Sequence, residues 1–141
     1  MATRSRIAIE TSDAFGNKVI KSIYCHFDGY LSHNGKILLE NYQDRKKVEA
    51  LIALGDISVL GANLEGGDSH SFDTPDKNVV IAYHRDRGED YRSPRVNASV
   101  EDFFNSDIEE YGYLFTEEGE WLAKSSHNEK DPAVLNKLAV S

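Results

Sequence analysis

The stretch Ile23-Tyr24-Cys25-His26-Phe27-Asp28-Gly29-Tyr30 decides how this chain is read. It continues an alternating run that carries Val19, Lys21, Ile23, Cys25 and Phe27 on one side, the period of an extended strand. Asp28-Gly29 break the run, and helical spacing begins past Ser32 and Gly35. Alternate residues of a strand share a face, so Tyr24, His26 and Asp28 line up opposite Ile23, Cys25 and Phe27. A carboxylate two positions from an imidazole can fix its tautomer. A helix N-terminus beside the pair adds backbone N–H groups that favour an anion. Tyr24, His26, Asp28 and Tyr30 are therefore the first candidate ligand-binding residues. The plainer account is that Asp28 and Gly29 only make the turn while His26 satisfies a backbone group.

Upstream, residues 4–10 alternate with Ile7 and Ile9 on one side, and Asp13-Ala14-Phe15-Gly16-Asn17 supplies a turn, so 4–27 reads as an antiparallel hairpin. Downstream, Ser32 caps a helix over about 33–42 with Ile37, Leu38 and Tyr42 along one face. Asp44 starts a second helix, in which Val48, Leu51, Ile52 and Leu54 repeat until Gly55 stops it. Residues 61–77, with Gly61, Gly66, Gly67 and Pro75, form the longest loop and the natural place for a lid. Val79-Val80-Ile81-Ala82-Tyr83 is apolar on both faces, which predicts a central strand. Ser99-Val100-Glu101-Asp102 is a capping-box pattern opening a helix through Phe103, Phe104 and Ile108. Tyr111, Tyr113 and Phe115 share a strand face, and Trp121 with Leu122 returns after the Glu117-Glu118-Gly119 turn. The expected order is β-β-α-α-β-α-β-β: an α+β fold, one domain over 1–124, with a largely antiparallel sheet and helices packed on one face. A polar tail, 125–141, follows, with an apolar run at Val134, Leu135 and Leu138 that suits a short helix.

Composition bounds the function. The chain has 141 residues, 24 Asp+Glu against 16 Lys+Arg, and a formal net charge of −8. Such a surface repels phosphate backbones and anionic lipid, so nucleic acid is an unlikely partner unless Arg4/Arg6 or Arg85/Arg87/Arg92/Arg95 gather into a patch. No apolar run approaches the ~20 residues of a membrane span. The one cysteine cannot make an internal disulfide, and no signal core follows Arg4 and Arg6, so a reducing, cytoplasmic setting is expected. In that setting Asn97-Ala98-Ser99 is a helix entry rather than a glycosylation site.

The remaining chemistry is sparse. Cys25 and His26 are neighbours that point apart, and Cys25 sits among apolar neighbours, so it reads as a small buried hydrophobe rather than a nucleophile. His26, His33, His70, His84 and His127 show no metal-ligand spacing, and no catalytic set, cofactor motif or metal site emerges. The aromatic set Tyr111, Tyr113, Phe115 and Trp121 suits core packing better than base stacking. His84-Arg85-Asp86 matches a kinase tripeptide by accident, since the rest of that machinery is missing. Arg85 and Arg87 are the second pair of candidate binding residues, able to clamp a phosphate or carboxylate, or equally to neutralise Asp86, Glu89 and Asp90.

Three stretches carry a resemblance: Ile23 to Tyr30 with Gly35, Leu51 to Ser58, and Arg85-Asp86-Arg87-Gly88-Glu89. Over residues 4–123 the chain resembles a group of small bacteriophage and bacterial proteins with a Tyr-x-His-(Trp/Phe)-Asp-Gly-Tyr signature. Phe27 stands where the group commonly has Trp, and Leu31 where it has Pro. The resemblance implies a viral or mobile-element origin and an accessory factor that binds a host target. The leading expectation is thus a small acidic accessory protein acting without catalysis on a host protein in the host cytoplasm, its acidic surface occupying a basic one. The alternative is a module for a small anionic ligand or nucleotide held by Tyr24, His26, Asp28, Tyr30, Arg85 and Arg87. A hydrolase built on His26 and Asp28 ranks third, needing an activated nucleophile or water. A homo-oligomer through an edge strand or the run Val134 to Val140 also stays open.

Overall fold

The alternating hairpin forms as the sequence directs. In the computed structural model, which describes residues 3–66, 70–74, 77–91, 93–106, 108–125 and 133–134, β1 (Ser5–Ser12) pairs antiparallel with β2 (Lys18–Cys25). The register runs unbroken from Ser5↔Cys25 to Ser12↔Lys18. Asp13 closes the turn by accepting the Phe15 and Asn17 N–H groups on Oδ1, each at 2.9 Å. Expectations resting on Arg92, Gly67, Pro75, His127, the Ser32 side chain, Leu135 and Leu138 lie outside the described residues.

A π-helical turn (Leu31–Gly35) leads into α1 (Lys36–Asn41). Asp44 caps α2 (Arg45–Ala53) by accepting the Lys46 N–H. The chain continues through β3 (Ile57–Val59), β4 (Ile81–Ala82), α3 (Tyr83–Arg87), β5 (Arg95–Asn97), α4 (Val100–Asn105), the hairpin β6 (Tyr111–Phe115) with β7 (Trp121–Ser125), and β8 (Ala133–Val134). Ser99 caps α4 by accepting the Asp102 N–H at 3.1 Å, and Asp102 accepts the Ala98 N–H in return. The class is α+β, and the strand order is β4-β3-β2-β1-β6-β7-β8, with β5 also on β2. Pairing is antiparallel except where β1 meets β6 and β2 meets β3.

Three expectations need correction. Helices cover both faces of the sheet, not one. Ile7, Ile9, Ile23, Tyr113, Phe115 and Trp121 pack with α1 and α2, while Ala8, Ile20 and Leu114 pack with Phe103 and Phe104 of α4. The central strands alternate between two apolar sets, so each face needs a cover; burying each such large side chain stabilises by about 1.5–3 kcal/mol. The 79–83 strand is not central. Only Ile81–Ala82 extends, at the sheet edge beyond β3; Val80 packs into the core instead, and its N–H donates to Asn63 O at 2.9 Å. Gly61 permits that approach, since a Cβ there would meet Asn78 O at 2.6 Å. Finally, Ala133–Val134 return to β7 as a strand, not a helix.

The described parts of the 61–77 loop are tied down rather than lid-like: Asn63 N–H donates to Asn78 O at 2.9 Å, and Phe72 N–H to Asp86 O at 3.1 Å. Buried phenols are also placed. Tyr42 OH donates to Gly61 O at 2.7 Å and Tyr113 OH to Gly29 O at 2.5 Å, so neither hydroxyl is stranded in the core.

Candidate functional site

Two strands share one edge of β2, and they do not meet. β5 takes Ile20 to Ser22, and β3 takes Cys25. Tyr24 falls in the gap, and its outward N–H donates to the Asp56 side chain, Oδ1, at 3.0 Å. A carboxylate thus stands where a strand partner would be. A cavity of about 190 Å³ opens at this gap, lined by Tyr24, Leu54, Asp56, Tyr83, His84, Glu89 and Asp90.

The first candidate group divides. Tyr24 OH and His26 Nδ1 lie 2.7 Å apart, as the strand period requires. Beyond them the period fails, because His26 and Phe27 both donate their N–H groups to the same neighbour, Ile57 O and Ser58 O. Asp28 then turns the chain at φ +57° and stands beside Tyr30, whose phenol it pushes above the usual range by charge repulsion. Tyr30 is exposed on the outside of that turn. His26 meets the Phe27 ring edge-on, with centroids 4.5 Å apart.

The second candidate pair is already engaged. Arg85 Nε and Nη2 fork onto Asp86 at 3.0 Å each, while Nη1 donates to Leu64 O and Nη2 to Val80 O. Asp86, with a side chain only 5 % exposed, also accepts the Ala82 N–H at 2.8 Å and lies 3.4 Å from His70 Nε2. Burial alone would raise its pKa, but the Arg85 fork and the Ala82 N–H outweigh burial and hold it below the usual carboxylate range. Arg87 pairs with Glu89 at 3.4 Å and lies over the Phe72 ring. Neither arginine nor His26 lines the cavity.

What does meet there is Tyr24 of the first stretch with Tyr83, His84, Glu89 and Asp90 of the second. His84 Nδ1–H donates to Glu89 O at 2.7 Å and so fixes the turn that carries both carboxylates. Burial pushes the Tyr24 and Tyr83 phenols up, keeping them neutral. Among the described residues nothing donates to the Asp90 carboxylate or to the second oxygen of Asp56. Glu89 shares its charge with Arg87. Among the described residues the lining contains three carboxylates and no lysine or arginine, so its field favours a cation.

Sequence reasoning passed over Asp56, which follows Gly55 and reads as a turn residue. It also chose the arginines over the carboxylates of the 83–90 segment. Each of the stretches Ile23 to Tyr30, Leu51 to Ser58 and Arg85 to Glu89 supplies a lining residue, Tyr24, Asp56 and Glu89. Cys25 is fully buried, receives Asn34 Nδ2–H at 3.4 Å, and has its thiol pushed up to about 11 by burial, which suits packing and not attack. Among the described residues no group of three His, Cys, Asp or Glu is placed to hold a metal ion, and no helix is long and apolar enough to cross a membrane. The chain matches no protein-family model, no curated protein and no solved structure.

Proposed function

We propose that the protein works by binding, and that it takes a basic side chain of a partner protein into the cavity beside Tyr24. The observation that carries this reading is the described lining itself: Asp56, Glu89 and Asp90 line it with two phenols, and the one cation paired to them among the described residues, Arg87 on Glu89, stands outside the lining. Size favours a side chain over a nucleotide, since about 190 Å³ falls below the ~300–1,000 Å³ of pockets for larger ligands. The net charge of −8 steers a basic surface toward the site. This agrees with an accessory protein that covers a basic region of a host target. The anionic-ligand reading is weaker, because Arg85 would have to give up its bonds to Asp86, Leu64 and Val80.

A seated ammonium worth about 4 kcal/mol net corresponds to a dissociation constant of about 1 mM, so the test suits NMR titration. Adding the peptide Ac-Ala-Lys-Ala-NH₂ should give saturable amide shifts at Tyr24, Asp56, Glu89 and Asp90. Asp90→Asn should raise the dissociation constant at least fivefold. Equal or tighter binding of Ac-Ala-Glu-Ala-NH₂ or inorganic phosphate at these residues would overturn the reading.

A further inference from the structure

A row of rings starts at Tyr24 on the cavity rim. The Tyr24 ring lies tilted beside His26 with centroids 5.9 Å apart, and His26 meets Phe27 at 4.5 Å, so the three rings form a ridge that leads away from the cavity. Phe27, the last of these rings, is 40 % exposed; Tyr30, on the same short turn, is 38 % exposed with its ring against His33. That turn is held from four directions. Phe27 N–H donates to Ser58 O at 2.9 Å, Gly29 N–H to Thr3 O at 2.8 Å, and Asn34 N–H to Asp28 O at 3.2 Å. Tyr113 OH donates to Gly29 O from the core. The backbone packs so closely that a Cβ on Gly29 would meet Thr3 O at 2.8 Å. Large apolar rings left in water on a pre-ordered backbone are the composition and stiffness of an interface anchor, because their ordering cost is met during folding.

We infer that Phe27 and Tyr30 form the second half of one docking surface, and that the partner is a protein segment in which the basic residue stands next to an apolar one. The inference rests on the cavity reading above and adds to it. The cavity supplies the charge complement, and the ridge is continuous with its wall, so a side chain adjacent to a seated lysine falls on the rings. The basic residue then sets orientation and the apolar neighbour adds buried area.

Three peptides separate the two readings: Ac-Ala-Lys-Ala-NH₂, Ac-Phe-Lys-Ala-NH₂ and Ac-Ala-Lys-Phe-NH₂, titrated against the full chain. At least one phenylalanine peptide should bind fivefold or more tighter than the alanine peptide. Phe27→Ala should erase that gain while leaving binding of Ac-Ala-Lys-Ala-NH₂ within twofold of wild type. Phe27→Leu should restore part of the gain, and Tyr30→Ala gives a second test should Phe27→Ala fold poorly. Equal binding of all three peptides would overturn this inference and leave the cavity reading standing. Binding of none would overturn both. An equal loss for every peptide in both Phe27→Ala and Tyr30→Ala would also overturn it, since the ridge would then only support the cavity.

Discussion

Two charged clusters stand a few residues apart in the chain and behave in opposite ways. Asp86 is closed: the Arg85 fork, the Ala82 N–H and His70 surround it, and its side chain is 5 % exposed. Asp90 is open, with no donor on its carboxylate among the described residues, and it lines a cavity that Asp56 also lines. The first cluster ties α3 and β4 to Leu64 and holds the fold together. The second leaves its charge unspent. Both clusters are built on carboxylates, so the difference lies in which of them have already been supplied with donors.

The contrast can be broken most forcefully at Asp86. Asp86→Ala strands the Arg85 guanidinium and the Ala82 N–H, and should cost roughly 3 kcal/mol of stability, read from the urea unfolding midpoint. Asp90→Asn should move the same midpoint by less than ~0.5 kcal/mol. Equal effects would mean that the two clusters are not different in kind. The pH dependence has a definite sign. Asp86 is depressed in the folded state, so its contribution is present above the ordinary aspartate pKa of about 4 and is lost as pH falls through the folded value. The gap between wild type and Asp86→Ala should therefore narrow in acid.

Salt sharpens the contrast at intermediate size. Raising ionic strength from about 0.1 to 1 M shortens the screening length from ~10 to ~3 Å. Binding of Ac-Ala-Lys-Ala-NH₂ should weaken severalfold over that range, while the stability that Asp86→Ala removes should change little. The smallest expected effect is at Arg87, whose exposed pair with Glu89 is worth ~0.2–1 kcal/mol. Arg87→Ala should release Glu89 and tighten the same peptide about twofold; weaker binding would show that Arg87 helps to shape the site.

Much of the fold was legible because its signals are local. The 4–27 hairpin follows from strict alternation, α2 and α4 from Asp44 and Ser99, and the β6–β7 hairpin from its aromatic spacing. The unread elements are β3, β5 and β8, each only two or three residues long, and the five-residue helix α3. The three strands exist through pairing with distant strands, and no local period could mark them. The parallel contact of β1 with β6 is likewise a long-range choice. In the site, the Tyr24–His26 contact was legible from the strand period, and Asp28 escaped it because two successive N–H groups turn to β3. The arginines looked available because their acceptors, Leu64 O and Val80 O, lie 21 and 5 positions away.

The divided edge of β2 has a consequence for the order of folding. β3 and β5 come from segments almost forty positions apart, and both need the hairpin as a template. Hairpin contacts at Ile20 and Ile23 should form early, and docking of the two short strands late, since each must close a long stretch of chain first. Recognition is therefore acquired at the end: a chain with its hairpin formed but β3 undocked would have secondary structure and no Asp56 beside Tyr24.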